Sequence, residues 1–241
     1  MHSFFVDAPL DGRARMLPEE ARHALKVLRL RQGDEVCALD PAGGRWQGVL
    51  ELSDGAETWV RLVAPLSANQ APVSLTVYQG IPKSDKLDWV VQKLTELGAA
   101  ALVPVRMDRC VARMDRSDGG KRERLERIAR EAAKQCGRGL PLRVAPPMAW
   151  PEALEAMARH DLLLIPWEEA SGFRMKDAHG CFPDAGDIGV VIGPEGGIAP
   201  KEVAAMTAIG GRTITLGPRI LRTETAAVVS AALTMQLWGD L

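Results

Sequence analysis

The spacing of hydrophobic positions along the chain changes near residue 70. Before that point, short alternating apolar runs separated by Gly, Pro and Asp predict β-strands at residues 2–6, 35–39, 46–52 and 58–63. One amphipathic helix interrupts them, from residue 18 to about residue 29, and its cations Arg22, Lys26 and Arg29 share one face. The first part of the chain is therefore predicted to be a small β-rich domain.

From residue 73 onward, the pattern predicts strands that alternate with helices. Apolar runs predict strands at residues 73–78, 101–105, 142–145, 161–165, 189–192 and 213–216. Helical spacing predicts helices from a cap at Ser84 or Asp85 to Gly98, at 121–136, 151–158 and 200–209, and from a cap at Thr223 or Thr225 to about 238. This alternation implies a mostly parallel sheet with helices on both faces.

A short polar segment separates the two patterns. Residues 67–72 are small or polar and end in proline, as expected of a linker between domains. The sequence therefore predicts a first domain at residues 1–68 and a second domain at residues 73–241.

Two of the predicted strands end in glycine-proline turns, at residues 193–197 and at residues 217–218. In an open α/β sheet, ligands bind beyond the carboxyl ends of the strands, and glycine there lets the backbone approach a ligand closely. Neither turn matches a dinucleotide fingerprint or a P-loop. The turns favour a neutral or zwitterionic nucleoside-like ligand, although two ordinary strand-to-helix turns would give the same spacing.

Composition narrows the class of protein. The 241 residues are 46% apolar and 25% charged, which is typical of a soluble globular protein, and no apolar run approaches the roughly 20 residues of a membrane span. The N-terminus does not resemble a signal peptide. The scattered cysteines form no C-x-x-C pair, which argues against a zinc site and a disulfide scaffold and favours reduced thiols in the cytoplasm. We therefore expect that the protein binds no metal ion and has no membrane partner.

Charge is distributed unevenly, although the net charge is only −1. Residues 106–143 carry twelve Lys or Arg against six Asp or Glu, and Arg106, Arg109 and Arg113 lie in a polar loop that follows a predicted strand. Such a local excess of cations indicates either a surface for nucleic acid or the solvated face of a helix.

Two motifs carry a resemblance to a known family. The sequence IGPEGGIAPKEV at residues 192–203, followed by LGPRILRTETA at residues 216–226, resembles the paired cofactor loops of the SPOUT methyltransferases. With REAAKQCGR at 130–138 and HALKVLRLRQGDEV at 23–36, the chain resembles the ribosomal RNA small subunit methyltransferase E family over nearly its whole length. One departure is Ala199, where that family tends to carry a Ser or Thr cap.

The resemblance implies a fold and a function. It implies a PUA-like RNA-binding barrel at residues 1–68 and a SPOUT domain at residues 73–241 with a C-terminal trefoil knot. It further implies a homodimer that uses S-adenosylmethionine to methylate N3 of a uridine in 16S ribosomal RNA, within the small ribosomal subunit. The almost entirely apolar last helix fits either a dimer interface or a buried core helix.

The same resemblance implies roles for individual residues. For cofactor binding these are Ile165, Gly193, Pro194, Glu195, Gly196, Leu216, Gly217, Ile220, Leu221 and Thr223. The candidates for RNA binding are Arg22, His23, Lys26, Arg29, Arg106 and Arg109. For the cationic stripe of the first helix, the alternative is an ordinary solvated helix face. Two further histidines, His160 and His179, are predicted to lie on the surface.

Arg222 and Glu224 are the candidate catalytic residues. An arginine can bind a uracil carbonyl oxygen as negative charge develops there, and Glu224 can orient Arg222 or act as a base. The alternative is a salt bridge at the start of a helix. Two other functions stay open: a ribose 2′-O-methyltransferase of the SPOUT type, and an RNA-binding assembly factor without catalysis.

Overall fold

The computed structural model describes residues 1–52, 57–67, 69–83, 85–112, 114 and 119–241. The proposed cap Ser84 and the loop residue Arg113 lie outside this part of the chain. By their contacts the residues form two compact units. The first comprises Met1–Gln70 and Ala133–Pro141, and the second comprises Ala71–Ala132 and Leu142–Leu241. Residues 133–141, which the sequence division places in the second domain, group instead with the first.

The first unit is built on a five-stranded sheet whose strands follow the order β1-β3-β4-β5-β2. Its strands are β1 (His2–Phe5), β2 (Arg13–Arg15), β3 (Glu35–Leu39), β4 (Arg45–Leu52) and β5 (Thr58–Leu66). β1 is parallel to β3, and the other pairs are antiparallel. Phe4, Leu50 and Val60 fill its core. The three-residue strand β2 is too short to have been predicted.

The helix of the first unit differs from the prediction. The α-helix α1 covers only Pro18–Arg22, and a π-helical turn follows at His23–Val27, where the Leu28 N–H reaches the His23 carbonyl at 3.0 Å. Arg29 then takes a left-handed backbone conformation with φ of 56°. The single α-helical face predicted for Arg22, Lys26 and Arg29 is therefore wrong, because the wider turn and the reversal at Arg29 change their directions.

The second unit is an α/β fold, as the alternating pattern predicted. Its strands are β6 (Ser74–Gly80), β7 (Ala101–Arg106), β8 (Arg143–Val144), β9 (Met148–Ala149), β10 (Leu162–Pro166), β11 (Asp187–Ile192) and β12 (Arg212–Ile214). Its helices are α2 (Lys86–Glu96), α3 (Gly119–Cys136, of which residues 133–136 group with the first unit), α4 (Trp150–Met157), α5 (Met175–Cys181), α6 (Pro200–Ala208) and α7 (Thr223–Trp238). The sequence did not predict α5 or β9.

The strands of the second unit form one parallel sheet in the order β12-β10-β11-β6-β7-β8, with β9 also paired to β7. Side chains alternate between its faces. Val77 and Leu164 join one core with residues of α2, α3, α5 and α7, whereas Tyr78 and Ile165 join a second core with residues of α4 and α6. The expected coverage of both faces is confirmed.

Strand β12 ends earlier than predicted. It stops at Ile214, whereas the apolar run extends to Leu216. The Thr215 hydroxyl accepts the Gly217 N–H at 3.1 Å. This local turn competes with the backbone hydrogen bonds that would extend the pairing of β12 with β10. Leu216 is thereby left in the loop after the strand.

His160 is not the surface residue that the sequence suggested. Its side chain is 8% exposed; one ring nitrogen lies 2.9 Å from the Tyr78 hydroxyl and the other 3.0 Å from Asp187. Burial raises the pKa of Tyr78 to about 12. His179 is half-buried and packs edge-on against Trp238. Both histidines belong to the packing of the second unit.

Within the described part of the chain, no helix has both the length and the apolarity that a membrane crossing needs. The four cysteines are all free thiols, and Cys37 is buried.

Candidate functional site

A cavity of about 560 Å³ opens beyond the carboxyl ends of β10, β11 and β12 in the second unit. Three segments line it, residues 166–168, 192–198 and 215–223, together with Lys86 and Ala226. Its volume lies within the range of small-molecule sites. The two glycine loops that the sequence singled out therefore meet at one cavity.

The first glycine loop follows β11 and depends on the absence of side chains. A Cβ atom on Gly193 would lie 2.8 Å from the Ile198 side chain and 3.0 Å from the Gly197 backbone. Gly197 has a φ of +74° and donates its N–H to the Pro194 carbonyl at 2.9 Å. This tight turn presents Glu195 and Gly196 at the cavity.

The second loop follows β12. Gly217 has a φ of +112°, a conformation that other residues rarely adopt, and no atom of the described residues lies within 4 Å of the place where its Cβ would be. Ile220, two residues before Arg222, is 88% exposed at the cavity. A large apolar side chain exposed at the wall of a cavity is suited to covering by a ligand.

Thr223 ties the two loops together. Its hydroxyl donates to the Gly193 carbonyl at 2.6 Å and accepts a hydrogen bond from Gln79 Nε2 at 2.8 Å. The fully buried Gln79 also donates to the Gly80 carbonyl at 3.0 Å. One buried chain of hydrogen bonds thus joins the end of β6, the first loop and the start of α7.

Thr223 consequently has a different role from the predicted helix cap. The N-cap position of α7 belongs to Arg222, whose backbone is extended and whose side chain makes no capping hydrogen bond. Thr225 is not the cap either, because α7 already begins at Thr223. The threonine hydroxyl is directed to Gly193 instead of the helix end.

Lys86, which the sequence analysis missed, pairs with two carboxylates beside the cavity. Its ammonium lies 3.0 Å from Glu195 Oε1 and 3.1 Å from Glu224 Oε2. Lys86 opens α2, where the helix dipole disfavours a cation. That unfavourable position was the available signal that this lysine has acidic partners.

The charges of this cluster reinforce one another. The hydrogen bond to Glu195, which outweighs the opposing effect of burial, raises the pKa of Lys86 above its ordinary value. Burial alone would raise the pKa of Glu195, but hydrogen bonds from Lys86 and from the backbone N–H groups of Glu195 and Lys83 hold it below its ordinary value. The Lys86 ammonium and the Glu195 carboxylate therefore each favour the charged form of the other.

The structure places most of the predicted cofactor residues at the cavity. Lining residues from that prediction are Gly193, Pro194, Glu195, Gly196, Leu216, Gly217, Ile220, Leu221 and Thr223. Ile165 is an exception: it is completely buried in the core, and Pro166 and Trp167 line the cavity instead. Alternation along β10 places Ile165 on the face of the sheet that packs against α4 and α6, in the second core.

The two catalytic candidates are placed differently. Arg222 is exposed and lines the cavity. Glu224 pairs with Lys86 rather than with Arg222, so the prediction that Glu224 orients Arg222 does not agree with the contacts. The salt bridge at the helix start that was the alternative is present, with Lys86 as the partner.

The candidate RNA residues lie in both units. Arg22, Lys26 and Arg29 are exposed in the first unit, while His23 packs edge-on against Phe4. In the second unit, Arg106 is exposed at the end of β7. These residues remain predictions for RNA binding.

Arg109 and Glu202 fasten the loop after β7 to the first glycine loop. Arg109 Nη1 donates to the Gly196 carbonyl at 3.0 Å. The buried Glu202 accepts the Asp108 N–H at 2.9 Å and the Ala199 N–H at 3.0 Å. Glu202 therefore caps α6, and this contact offsets the missing Ser or Thr at Ala199. Among the described residues, no three His, Cys, Asp or Glu side chains converge in a metal-binding arrangement.

Replacing Thr223 with Val should reduce the free energy of unfolding by about 2–4 kcal/mol, because Gly193 and Gln79 both lose a buried hydrogen-bond partner. Thr223→Ser keeps the hydroxyl and should cost less than about 1.5 kcal/mol. Urea denaturation of the three proteins measures the difference. A loss in the Ser variant equal to or larger than that in the Val variant would contradict the role given to the hydroxyl, because Val keeps the methyl group and Ser keeps the hydroxyl.

Comparison with known proteins agrees with this arrangement. A family model described as an RNA methyltransferase domain matches residues 69–235, and one described as an RNA methyltransferase PUA domain matches residues 18–56. Among curated proteins, the chain is 35% identical to ribosomal RNA small subunit methyltransferase E of Bacillus subtilis, covering 92% of this chain and 91% of that protein. The protein of the same name from Mycobacterium bovis is 34% identical, and the match covers 94% of this chain and 88% of that protein.

A solved structure supports the same relationship. The ribosomal RNA small subunit methyltransferase E from Neisseria gonorrhoeae, bound to S-adenosyl methionine, superimposes with a TM-score of 0.87 at 29% identity. The match covers 100% of this chain and 99% of that one.

Proposed function

The chain belongs to the ribosomal RNA small subunit methyltransferase E family, and on that premise we propose that it methylates N3 of a uridine in 16S ribosomal RNA. It is an S-adenosylmethionine-dependent RNA methyltransferase. The observation that carries the proposal is the convergence of both glycine loops and Arg222 on one cavity. Assembly of the small ribosomal subunit would place the protein in the cytoplasm.

The cavity fits the cofactor in size and chemistry. Its walls combine glycine backbone at residues 193, 196, 197 and 217 with apolar side chains such as Ile198 and Ile220. Such a lining suits a ligand that has an adenine ring and a zwitterionic amino acid group. S-adenosylmethionine supplies an electrophilic methyl group on a sulfonium, so the protein's task is mainly positioning.

Arg222 is our candidate for stabilising the reacting base. Its backbone is fixed at the N-cap of α7, and its side chain is exposed at the cavity. Uracil becomes an anion when N3 loses its proton, and the planar guanidinium can donate to a carbonyl oxygen on which that charge develops. Arg222 would therefore stabilise the transition state more than the ground state.

Glu224 is better suited to positioning than to taking a proton. Its carboxylate is engaged by Lys86, which also holds Glu195 of the first glycine loop. Through this pair, Glu224 connects the start of α7 to α2 and to the first loop. We therefore keep Arg222 as the catalytic residue and assign Glu224 to the support of Lys86.

Methylation of purified small ribosomal subunits, followed by mass spectrometry of the nucleosides, tests the reaction. We expect 3-methyluridine. A methyl group on the ribose would instead establish the 2′-O-methyltransferase alternative, and RNA binding with no methyl transfer would establish the assembly factor.

Gly193→Val and Gly217→Val should each weaken S-adenosylmethionine binding by at least about tenfold, for different reasons. At Gly193 the new side chain would displace Ile198 and the loop backbone, and at Gly217 it would strain a positive φ. Isothermal calorimetry measures the affinity. Gly172→Val, at a positive-φ glycine that does not line the cavity, is the matched control. If both loop variants bound S-adenosylmethionine with the affinity of the parent, the assignment of this cavity as the cofactor site would be wrong.

Arg222→Ala should lower the methylation rate by about 10²–10³ while leaving S-adenosylmethionine affinity nearly unchanged, since a donor to developing charge acts on the transition state. Arg222→Lys should recover only part of the rate, because an ammonium cannot reproduce the guanidinium fork. Single-turnover rates and cofactor titrations separate the two effects. An Arg222→Ala enzyme with the parental rate and weakened cofactor binding would reverse the assignment.

A homodimer is supported by the apolar face of α7. Val228, Val229 and Ala232 are only partly buried within a single chain. Sedimentation at micromolar concentration should give about twice the chain mass of 26.1 kDa, and Val229→Glu should shift the mass toward that of one chain because an unpaired charge is costly to bury. A parental protein that sediments as a monomer would contradict the dimer.

The exposed cations Arg22, Lys26 and Arg29 support an RNA-binding role for the first unit. Their triple replacement by Ala should weaken RNA binding. The slope of log K against log salt concentration should become shallower by about 0.7–0.9 for each phosphate contact that is lost. A matched triple variant removes Arg13, Arg15 and Arg61, which are equally exposed but pair with neighbouring carboxylates. Equal effects of the two triple variants, measured by filter binding, would mean that only general charge matters.

The trefoil knot is a further proposal from the family. Supporting it, β12 lies at the sheet edge beyond β10, whereas α7, only a few residues later, packs near the centre of the sheet against β6 and β11. The hydrogen bond between Thr223 and Gly193 marks where the two loops meet. A crystal structure traced through residues 189–238 would establish whether the chain passes through a loop.

A further inference from the structure

A second cavity lies at the same edge of the sheet as the cofactor cavity. It has a volume of about 570 Å³ and is bounded by Arg106 at the end of β7, by Trp150 at the start of α4 and by Lys201 in the first turn of α6. Two strand spacings, or about 10 Å, separate β7 from β11 in the sheet order. Ligands of parallel sheets bind at this edge, beyond the carboxyl ends of the strands.

The wall between the two cavities is built from shared contacts. Arg109, in the loop after β7, donates to Gly196 of the first glycine loop. Glu202 lines the second cavity and binds the backbone N–H of both Asp108 and Ala199. The second cavity is therefore held at a fixed position relative to the first.

The side chains of the second cavity suit a nucleotide. The half-buried indole of Trp150 offers an aromatic surface, and Arg106 and Lys201 supply cations. The Lys201 ammonium lies 2.6 Å from Asp108, with both side chains more than half exposed. An exposed pair of this kind contributes little and can open to a phosphate. Single-stranded RNA is bound in this way, by stacking of bases on aromatic rings beside cations.

Resting on the proposed function, we propose that this second cavity binds a nucleotide of the substrate RNA next to the methylated uridine, with its base stacked on Trp150. A uridine placed at the cofactor cavity carries neighbouring nucleotides, and the second cavity is within reach of them. Arg106 and Lys201 contact the phosphate of that nucleotide. The site thereby contributes to the choice of RNA sequence or shape around the target.

The test compares RNA and cofactor affinities of Trp150 variants. Trp150→Leu keeps apolar volume against the core but lacks an aromatic face, and Trp150→Phe retains one. We expect Trp150→Leu to weaken binding of a small-subunit RNA fragment by about 5- to 100-fold and Trp150→Phe to recover most of it. S-adenosylmethionine affinity should stay at the parental value in both, which also shows that the variants are folded.

Photocrosslinking gives an independent readout. RNA that carries 5-iodouridine beside the target should crosslink to Trp150, and Trp89, which is 43% exposed on α2, is the control. If Trp150→Leu binds the RNA with the affinity of the parent, or if the RNA does not crosslink to Trp150, the second site is wrong. In that case a methylated product would still support the proposed function. Parental protein that neither binds nor methylates the RNA overturns both.

Discussion

The hydroxyl of Thr223 is the contact on which the cofactor cavity depends. It lies in the buried interior of the second unit, between Gln79 and the Gly193 carbonyl, and it fixes the start of α7 against the first glycine loop. It is the buried one of the connections between the first loop and the start of α7. A parallel sheet can bring loops to one edge, and this hydrogen bond sets their distance.

The charged cluster around Lys86 adds a second connection outside this buried one. Lys86 reaches Glu195 in the first loop and Glu224 in α7, so it spans the same two elements that Thr223 joins. Its contacts are partly exposed, and so they are weaker and more sensitive to salt than the buried hydrogen bonds. The two connections leave Arg222, at the N-cap of α7, in a defined place at the cavity.

The sequence predicted the parallel α/β sheet well, because both of its faces are covered and its strands are continuous apolar runs, such as those at Leu164 and Val190. It failed where local contacts outweigh periodicity. The π-helical turn after Arg22 carries an ordinary helical pattern, and after Ile214 the chain turns locally, with the Gly217 N–H bound to the Thr215 hydroxyl. Neither feature changes the spacing of apolar residues.

For the site, the glycine motifs located both loops, because a positive φ leaves few alternatives to glycine at Gly197 and Gly217, and close packing adds to this at Gly197. Partners that come from distant segments were not predictable in the same way. Gln79 and Lys86 lie more than a hundred residues before Thr223 and Glu224, and nothing local to either residue specifies that pairing. Nor did the sequence show that Ile165 is buried in the core whereas Pro166 and Trp167 line the cavity, because the whole of β10 is apolar.

We propose above all that the protein methylates N3 of a uridine in small-subunit ribosomal RNA, and that the reaction takes place at this cavity. Nucleoside mass spectrometry of that RNA from a strain lacking the protein tests it most directly, with plasmid copies of the parent and of Arg222→Ala supplied for comparison. The account predicts that 3-methyluridine disappears on deletion, returns with the parent and stays absent or strongly reduced with Arg222→Ala. Unchanged 3-methyluridine in the deletion strain, or the loss of a ribose-methylated nucleoside instead, would contradict it.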